Sequence, residues 1–248
     1  MITLKTQEEI KIMGEGGRIL AGIIRDLAKR VRPGIATNEL NRAAEALIFN
    51  SGGKPSFKGY DGFPAVLCVS VNDEIVHGLP SDRVLRAGDI VSLDLGMEYR
   101  GYHSDMAITI AAGNISPQAQ KLIQVTYGAL EAGLKEVKPG NTFGDVGSAV
   151  QQFIESHGFG VVQDLCGHGI GKKLHEEPEV LNYGKKGEGP KIQEGMVFCL
   201  EPMVTAGSWQ IKQAKDGYGF KTKDGSLSAH FEHTIAVTKS GFQILTKE

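Results

Sequence analysis

"SLDLGMEYRGYHSDMAITI", Ser92 to Ile110, decides the reading of this chain. Two apolar, β-prone runs flank a short polar turn, the pattern of a β-hairpin. Each run also carries an aspartate, Asp94 in the first and Asp105 in the second. A tight turn at Tyr99–Arg100 would set Asp94 opposite Asp105, on one face, with Cβ atoms about 5 Å apart. A slip of register would leave them diagonal neighbours, still close. Two carboxylates facing each other on a half-buried sheet repel and resist leaving water, so a shared proton or a cation has to lie between them.

Working outward, the hairpin is one part of a pattern that occurs twice. "GDIVSLD" (Gly88–Asp94) matches "GMVFCLE" (Gly195–Glu201), each opening on glycine with an acid six residues later. "DMAITIA" from Asp105 resembles "EHTIAVT" from Glu232. Upstream, Thr6 and Glu9 form a capping box for a first helix, which ends before "RPG" at Arg32–Gly34. A second helix is expected from about Thr37 to Phe49, and a third from Ser116–Pro117 through Leu134 to "VKPG". "VRPGIATNELNRAAEALI" from Val31 aligns with "VKPGNTFGDVGSAVQQFI" from Val137, and Leu40/Val146, Ala43/Ala149, Leu47/Phe153 and Ile48/Ile154 coincide. Helix, helix, then strands, given twice, predicts an α+β fold of two pseudo-symmetric halves, roughly 7–112 and 117–240, with helices covering a curved antiparallel sheet. No βαβα alternation and no G-x-G-x-x-G after a first strand are present, which disfavours a dinucleotide fold.

The duplication supplies a second pair of acids, Glu201 and Glu232, in "FCLEPMV" and "FEHTIAV". Four carboxylates on one sheet face point away from a proton-sharing dyad and toward one or two divalent cations. Imidazole from "CGHGIGKKLHEEP", at His168 and His175, shifts the preference to manganese, iron, cobalt or zinc. The composition is that of a soluble globular protein, 41% hydrophobic and 23% charged, long enough at 248 residues for a substantial core. A net charge of −2 with both signs interspersed gives no sign of a basic nucleic-acid or membrane surface. The cysteines, Cys68, Cys166 and Cys199, are odd in number and lack a C-x-x-C pair, which predicts a reducing compartment. The start, "MITLKTQEEIKIM", has no signal-peptide core, and no apolar run reaches transmembrane length, so the expected location is the cytoplasm. Nothing demands more than a monomer.

Asp94, Asp105, His168, Glu201 and Glu232, with "DEIVHGLP", "EPMV" and "SLSAHFEHTIAVT" in the same order, resemble the metal-ligand pattern of the methionine aminopeptidases and their relatives. The resemblance covers nearly the whole chain, and the short chain is similar to the type I, bacterial-like form. It implies the two-half pita-bread fold, a single catalytic domain over 1–248, and removal of the N-terminal methionine by a hydroxide bridging two divalent metals. Asp94 would chelate one metal, Asp105 and Glu232 would bridge both, and His168 and Glu201 would complete the other. Glu201 would also shuttle a proton. His77 and His175 would stand near the scissile bond, and His77 in "VHGLP" echoes His168 in "GHGIG" as the other half's copy of that ligand would. The implied partners are the N-termini of nascent polypeptides, with the ribosome as an admissible docking partner.

For the methionine side chain the resemblance implies a pocket of Tyr60, Phe63, Cys68, Leu174, Phe198 and Tyr218. Phe57 stands where cysteine is frequent and Tyr218 where tryptophan is, which puts the pocket's shape apart from the commonest pattern. Asn72 and Ser228 match positions that hold a monovalent cation in some relatives. His103, His157, His230 and His233 are read as structural. Two rival readings are a non-catalytic module of the same fold, which would have lost ligands, and a proline-directed peptidase. No H-E-x-x-H and no G-x-S-x-G is present, against a zincin or an elbow-type serine hydrolase.

Overall fold

A computed structural model describes residues 1–247. Its helices are α1 (Gln7–Ala28), α2 (Thr37–Asn50), α3 (Pro117–Leu134) and α4 (Phe143–Ser156). Its strands in the first half are β1 (Lys54–Pro55), β2 (Cys68–Val71), β3 (Glu74–Val76), β4 (Asp89–Tyr99) and β5 (Tyr102–Ala112). The second half adds β6 (Gly160–Val161), β7 (Gly167–Gly169), β8 (Glu176–Val180), β9 (Val197–Leu200), β10 (Met203–Thr205), β11 (Ile211–Gln213), β12 (Phe220–Thr222), β13 (Ser228–His230), β14 (Glu232–Thr238) and β15 (Gly241–Ile244).

The helices begin where local chemistry starts them. The Thr6 hydroxyl accepts the Glu9 N–H while Glu9 accepts the Thr6 N–H, closing the capping box of α1. Thr142 and Asp145 do the same for α4, and Ser116 with Pro117 opens α3. Leu40/Val146 and Ile48/Ile154 are buried, and Ala43/Ala149 and Leu47/Phe153 half-buried, so the two copies of the second helix present matching faces inward.

The β4–β5 hairpin forms two residues out of the expected register. Tyr99 lies opposite Tyr102, so Asp94 faces Ala107 and Asp105 faces Gly96. The turn is Arg100–Gly101, with φ of 52° and 84°. A two-residue hairpin turn of this hand needs positive φ at both central positions, and glycine takes it without a Cβ penalty. A turn at Tyr99–Arg100 would instead force two side-chain-bearing residues into that region. Asp94 and Asp105 are therefore diagonal neighbours on one face.

All pairings in the nine-stranded central sheet are antiparallel, in the order β1-β4-β5-β14-β9-β7-β8, with β2 on β4 and β15 on β14. The halves meet at β5 and β14, where Glu232 faces Ala107 and His233 faces Met106. The Thr234 hydroxyl ties this seam, accepting the Asp105 N–H at 2.9 Å and donating to the Asp105 carbonyl at 2.8 Å. One core lies under α1 and α2, around Leu20, Leu27, Leu40, Val91 and Leu93. The other lies under α3 and α4, around Leu122, Leu130, Val146, Phe198 and Ile235. Each half thus buries one sheet face beneath its helices and leaves the opposite face for a site.

Candidate metal centre

Strand alternation decides what that open face carries. Directly opposite residues on neighbouring strands share a face. Asp94 on β4 and Glu232 on β14 therefore flank the small Ala107 from two sides, with Asp105 two residues along β5. His233 faces Leu200 and Thr234 faces Cys199, which sets Cys199 on the same face and brings Glu201, just past β9, beside Glu232. Gly169 faces Phe198, so His168 on β7 joins the row. Its neighbours must be glycines: a Cβ at Gly167 would collide with the Cys199 carbonyl, and one at Gly169 with the Glu177 carbonyl.

The four carboxylates are between 2% and 9% exposed, so they are largely out of water. One oxygen each from Asp94, Asp105 and Glu232 lie within 4.8 Å of one another. A ring nitrogen of His168, the Cys199 sulfur and a Glu232 oxygen form a second group of the same size. Asp94 Oδ1 and Glu232 Oε1 have no hydrogen-bond partner among the described residues. Burial, and then repulsion from Asp94, pushes the Glu201 carboxyl well up. Burial, and then repulsion from Glu201 and Asp94, does so for Glu232. Asp105 is raised by burial and by Glu232, Asp94 and Glu201. Burial raises Asp94 as well, against the opposing pull of His230 and a hydrogen bond with Asp105.

His168 makes the need for a cation explicit. Its Nδ1 is 3.0 Å from the Gly169 carbonyl, which only accepts, so Nδ1 carries the proton and Nε2 is a lone pair. Burial lowers the ring's pKa to about 3. Nε2 nevertheless stands 3.7 Å from Glu201 Oε1. Because the ring is neutral this is no ion pair; two acceptors face each other and want a proton or a cation between them. Bare buried acceptors from carboxylates and one oriented imidazole fit divalent ions of the manganese-to-zinc kind.

The cluster floors a cleft of about 440 Å³. Its walls include Phe57, Phe63, Cys68, Leu174, Met203 and Tyr218. Phe63 and Tyr218 pack edge to face at 5.5 Å, and the Tyr218 hydroxyl donates to the Gly62 carbonyl at 3.0 Å, leaving the ring body as wall. Tyr60 also lines the cleft, and its hydroxyl is 2.8 Å from His175 Nδ1. His175 and His77 are solvent-accessible within the cleft, and their enclosure lowers both pKa values, so both rings are neutral at pH 7. His77 adopts φ 57°, a left-handed backbone that turns it away from its strand. Cys166, half-buried beside Glu179 and Glu201, has its thiol pushed up to about 11, chiefly by burial, and is not a thiolate nucleophile.

Two expectations change. Phe198 does not line the cleft: it alternates with Cys199 and Glu201 along the chain, faces the helices, and packs against Phe143 at 5.0 Å. His77 follows β3, and the next residue, Gly78, lies beside β2, its carbonyl accepting the Val69 N–H at 2.8 Å. His230, read as structural, stands 3.4 Å from Glu201, a placement that its period-two spacing from Glu232 in "HFE" signals. Asn72 and Ser228 lie outside the cleft, the Ser228 N–H donating to the Asn72 carbonyl at 2.8 Å. His103 meets Ser56, His157 the Phe153 carbonyl and His233 Thr246, each through its Nδ1.

The model of metallopeptidase family M24 matches residues 11–239 of the chain, which belongs to that family and is a hydrolase. Within the family its relatives over full length are methionine aminopeptidases. Methionine aminopeptidase 1 of Bacillus subtilis (strain 168) is 48% identical, with all of both chains covered. The methionine aminopeptidase of Clostridium perfringens (strain 13 / Type A) is 48% identical over 99% of each. The crystal structure of methionine aminopeptidase from Rickettsia prowazekii superposes with a TM-score of 0.98 at 40% identity, covering both chains in full. The architecture is the pita-bread fold these proteins share.

Proposed function

We propose that the chain is a methionyl aminopeptidase that removes the N-terminal methionine from peptides and nascent proteins, acting in the cytoplasm on chains emerging from ribosomes. The whole chain would act as one catalytic domain, with Asp94 and Asp105 from the first half and His168, Glu201 and Glu232 from the second holding two divalent cations. The observation that carries this is the meeting of those five side chains on the floor of an apolar cleft, in a chain that matches methionine aminopeptidases from end to end. When bound, such ions lower the pKa of water toward neutrality and polarise the carbonyl under attack.

The chain's own groups supply the rest. Phe57, Phe63, Leu174 and Tyr218 offer an apolar wall suited to an unbranched thioether. Tyr60 holds His175 Nδ1, which fixes the ring's direction. His175 and His77, neutral and reachable from the cleft, donate N–H bonds to the carbonyl oxygen as it becomes an oxyanion. Glu201, its pKa raised by burial, takes the proton of the attacking water and returns it to the leaving nitrogen.

Purified protein should cleave Met-Ala-Ser and leave an Ala-Pro peptide intact, and a chelator should abolish the cleavage. Cleavage of the Ala-Pro peptide in preference would replace this reading with a proline-directed one, and activity that survives complete chelation would remove the metal from it.

A further inference from the structure

His230 closes β13 two residues before Glu232, and its side chain is 1% exposed. Neither of its ring nitrogens has a hydrogen-bond partner among the described residues. A buried polar group left unpaired is costly, so a ring in this state calls for a use. Its Nε2 lies 3.4 Å from Glu201 Oε2, while Glu201 Oε1 faces the bare Nε2 of His168 at 3.7 Å. The two oxygens of Glu201 are thus divided between two imidazoles. His168 spends its proton on the Gly169 carbonyl and has none to give. His230 is the imidazole whose N–H remains free for the carboxylate.

We propose that His230 is a positioning residue for Glu201: its Nε2–H donates to Oε2, fixes the rotation of the carboxylate, and turns Oε1 toward His168 as a metal-binding pair. The inference rests on the proposed metal centre and refines it. His230 is absent from the cleft lining, so it acts through Glu201 and not on substrate. A small ring rotation completes the bond from 3.4 Å. Outer hydrogen bonds of this kind orient the ligand that a metal meets.

The test is a cobalt titration of metal-free protein, followed by calorimetry and by the visible absorption of the bound ion. Wild type is compared with His230→Leu, which cannot donate, and His230→Gln, whose amide N–H reaches a similar distance. His230→Leu should bind its first cobalt about 10–100-fold more weakly, with an altered spectrum. His230→Gln should recover most of that affinity and the wild-type spectrum. His230→Asn, too short to reach Oε2, should follow the leucine variant and replaces it if leucine prevents folding. A non-donating variant that binds cobalt like wild type, or a glutamine variant that falls as far as leucine, overturns the assignment. Wild type that takes up no cobalt overturns the metal centre itself, an outcome separate from any difference between variants.

Discussion

Asp94 shows what the site asks of a single residue. Burial lifts its carboxyl from 3.8 to about 6 in the fold. A folded-state pKa above the unfolded value means that the folded protein holds the proton more tightly between those two pH values. The metal-free protein therefore loses stability as pH rises from about 4 to about 6 through this group, and does not regain it above. Asp94→Asn does not titrate. In metal-free protein it should be increasingly more stable than wild type from pH 4 to pH 7, read as the difference in urea midpoints. Saturating cobalt should reverse the ranking at pH 7, because the variant has lost a ligand. Equal midpoints at both pH values would mean that Asp94 is not held against its own charge. The same logic applies to Glu201 and Glu232, whose carboxyls burial also raises.

Elements place these residues, and here the hairpin is the informative one. Gly101 occupies φ 84°, a conformation a β-branched residue adopts only at a cost of about 1–2 kcal/mol. Gly101→Val should lower the unfolding free energy by about that amount in denaturant titration. No change would place the turn elsewhere. On β7, Gly169→Ala must push the strand away from the Glu177 carbonyl, and it carries His168 with it. Several-fold weaker cobalt binding with the helices intact by circular dichroism is the expected result; unchanged affinity would show that β7 tolerates the shift. The hairpin itself was legible because alternation and a polar turn are local signals. Its register was misplaced by two because the φ demand at Gly101, and not the centre of the polar stretch, positions the turn. Asp94 and Asp105 survive that error because a two-residue slip preserves the face. Phe198 was misassigned for the matching reason: on a strand, the neighbour of a site residue points the other way.

At the scale of the molecule, the site exists only because two similar halves lie edge to edge. The sequence repeat announced both halves, and matching burial along α2 and α4 repeats it in space. The seam at β5 and β14 was not legible, since pairing between strands 125 residues apart leaves no local mark; the Thr234 hydroxyl that holds Asp105 there looks like any strand threonine. The period-two spacing of His230 from Glu232 is a local sign of its placement, but its contact with Glu201 is made by the fold. Cations shared across the seam should also stabilise the whole fold, by about 2.7 kcal/mol at a free metal concentration of 100 times Kd, visible as a metal-dependent Tm. The most direct measurement is the metal content of purified protein alongside that of Asp105→Asn, with turnover of a Met-Ala-Ser peptide for each. Two equivalents in wild type, with at least one lost in the variant together with nearly all turnover, is the predicted result; a variant that keeps both its metal and its turnover would contradict a centre shared between the halves.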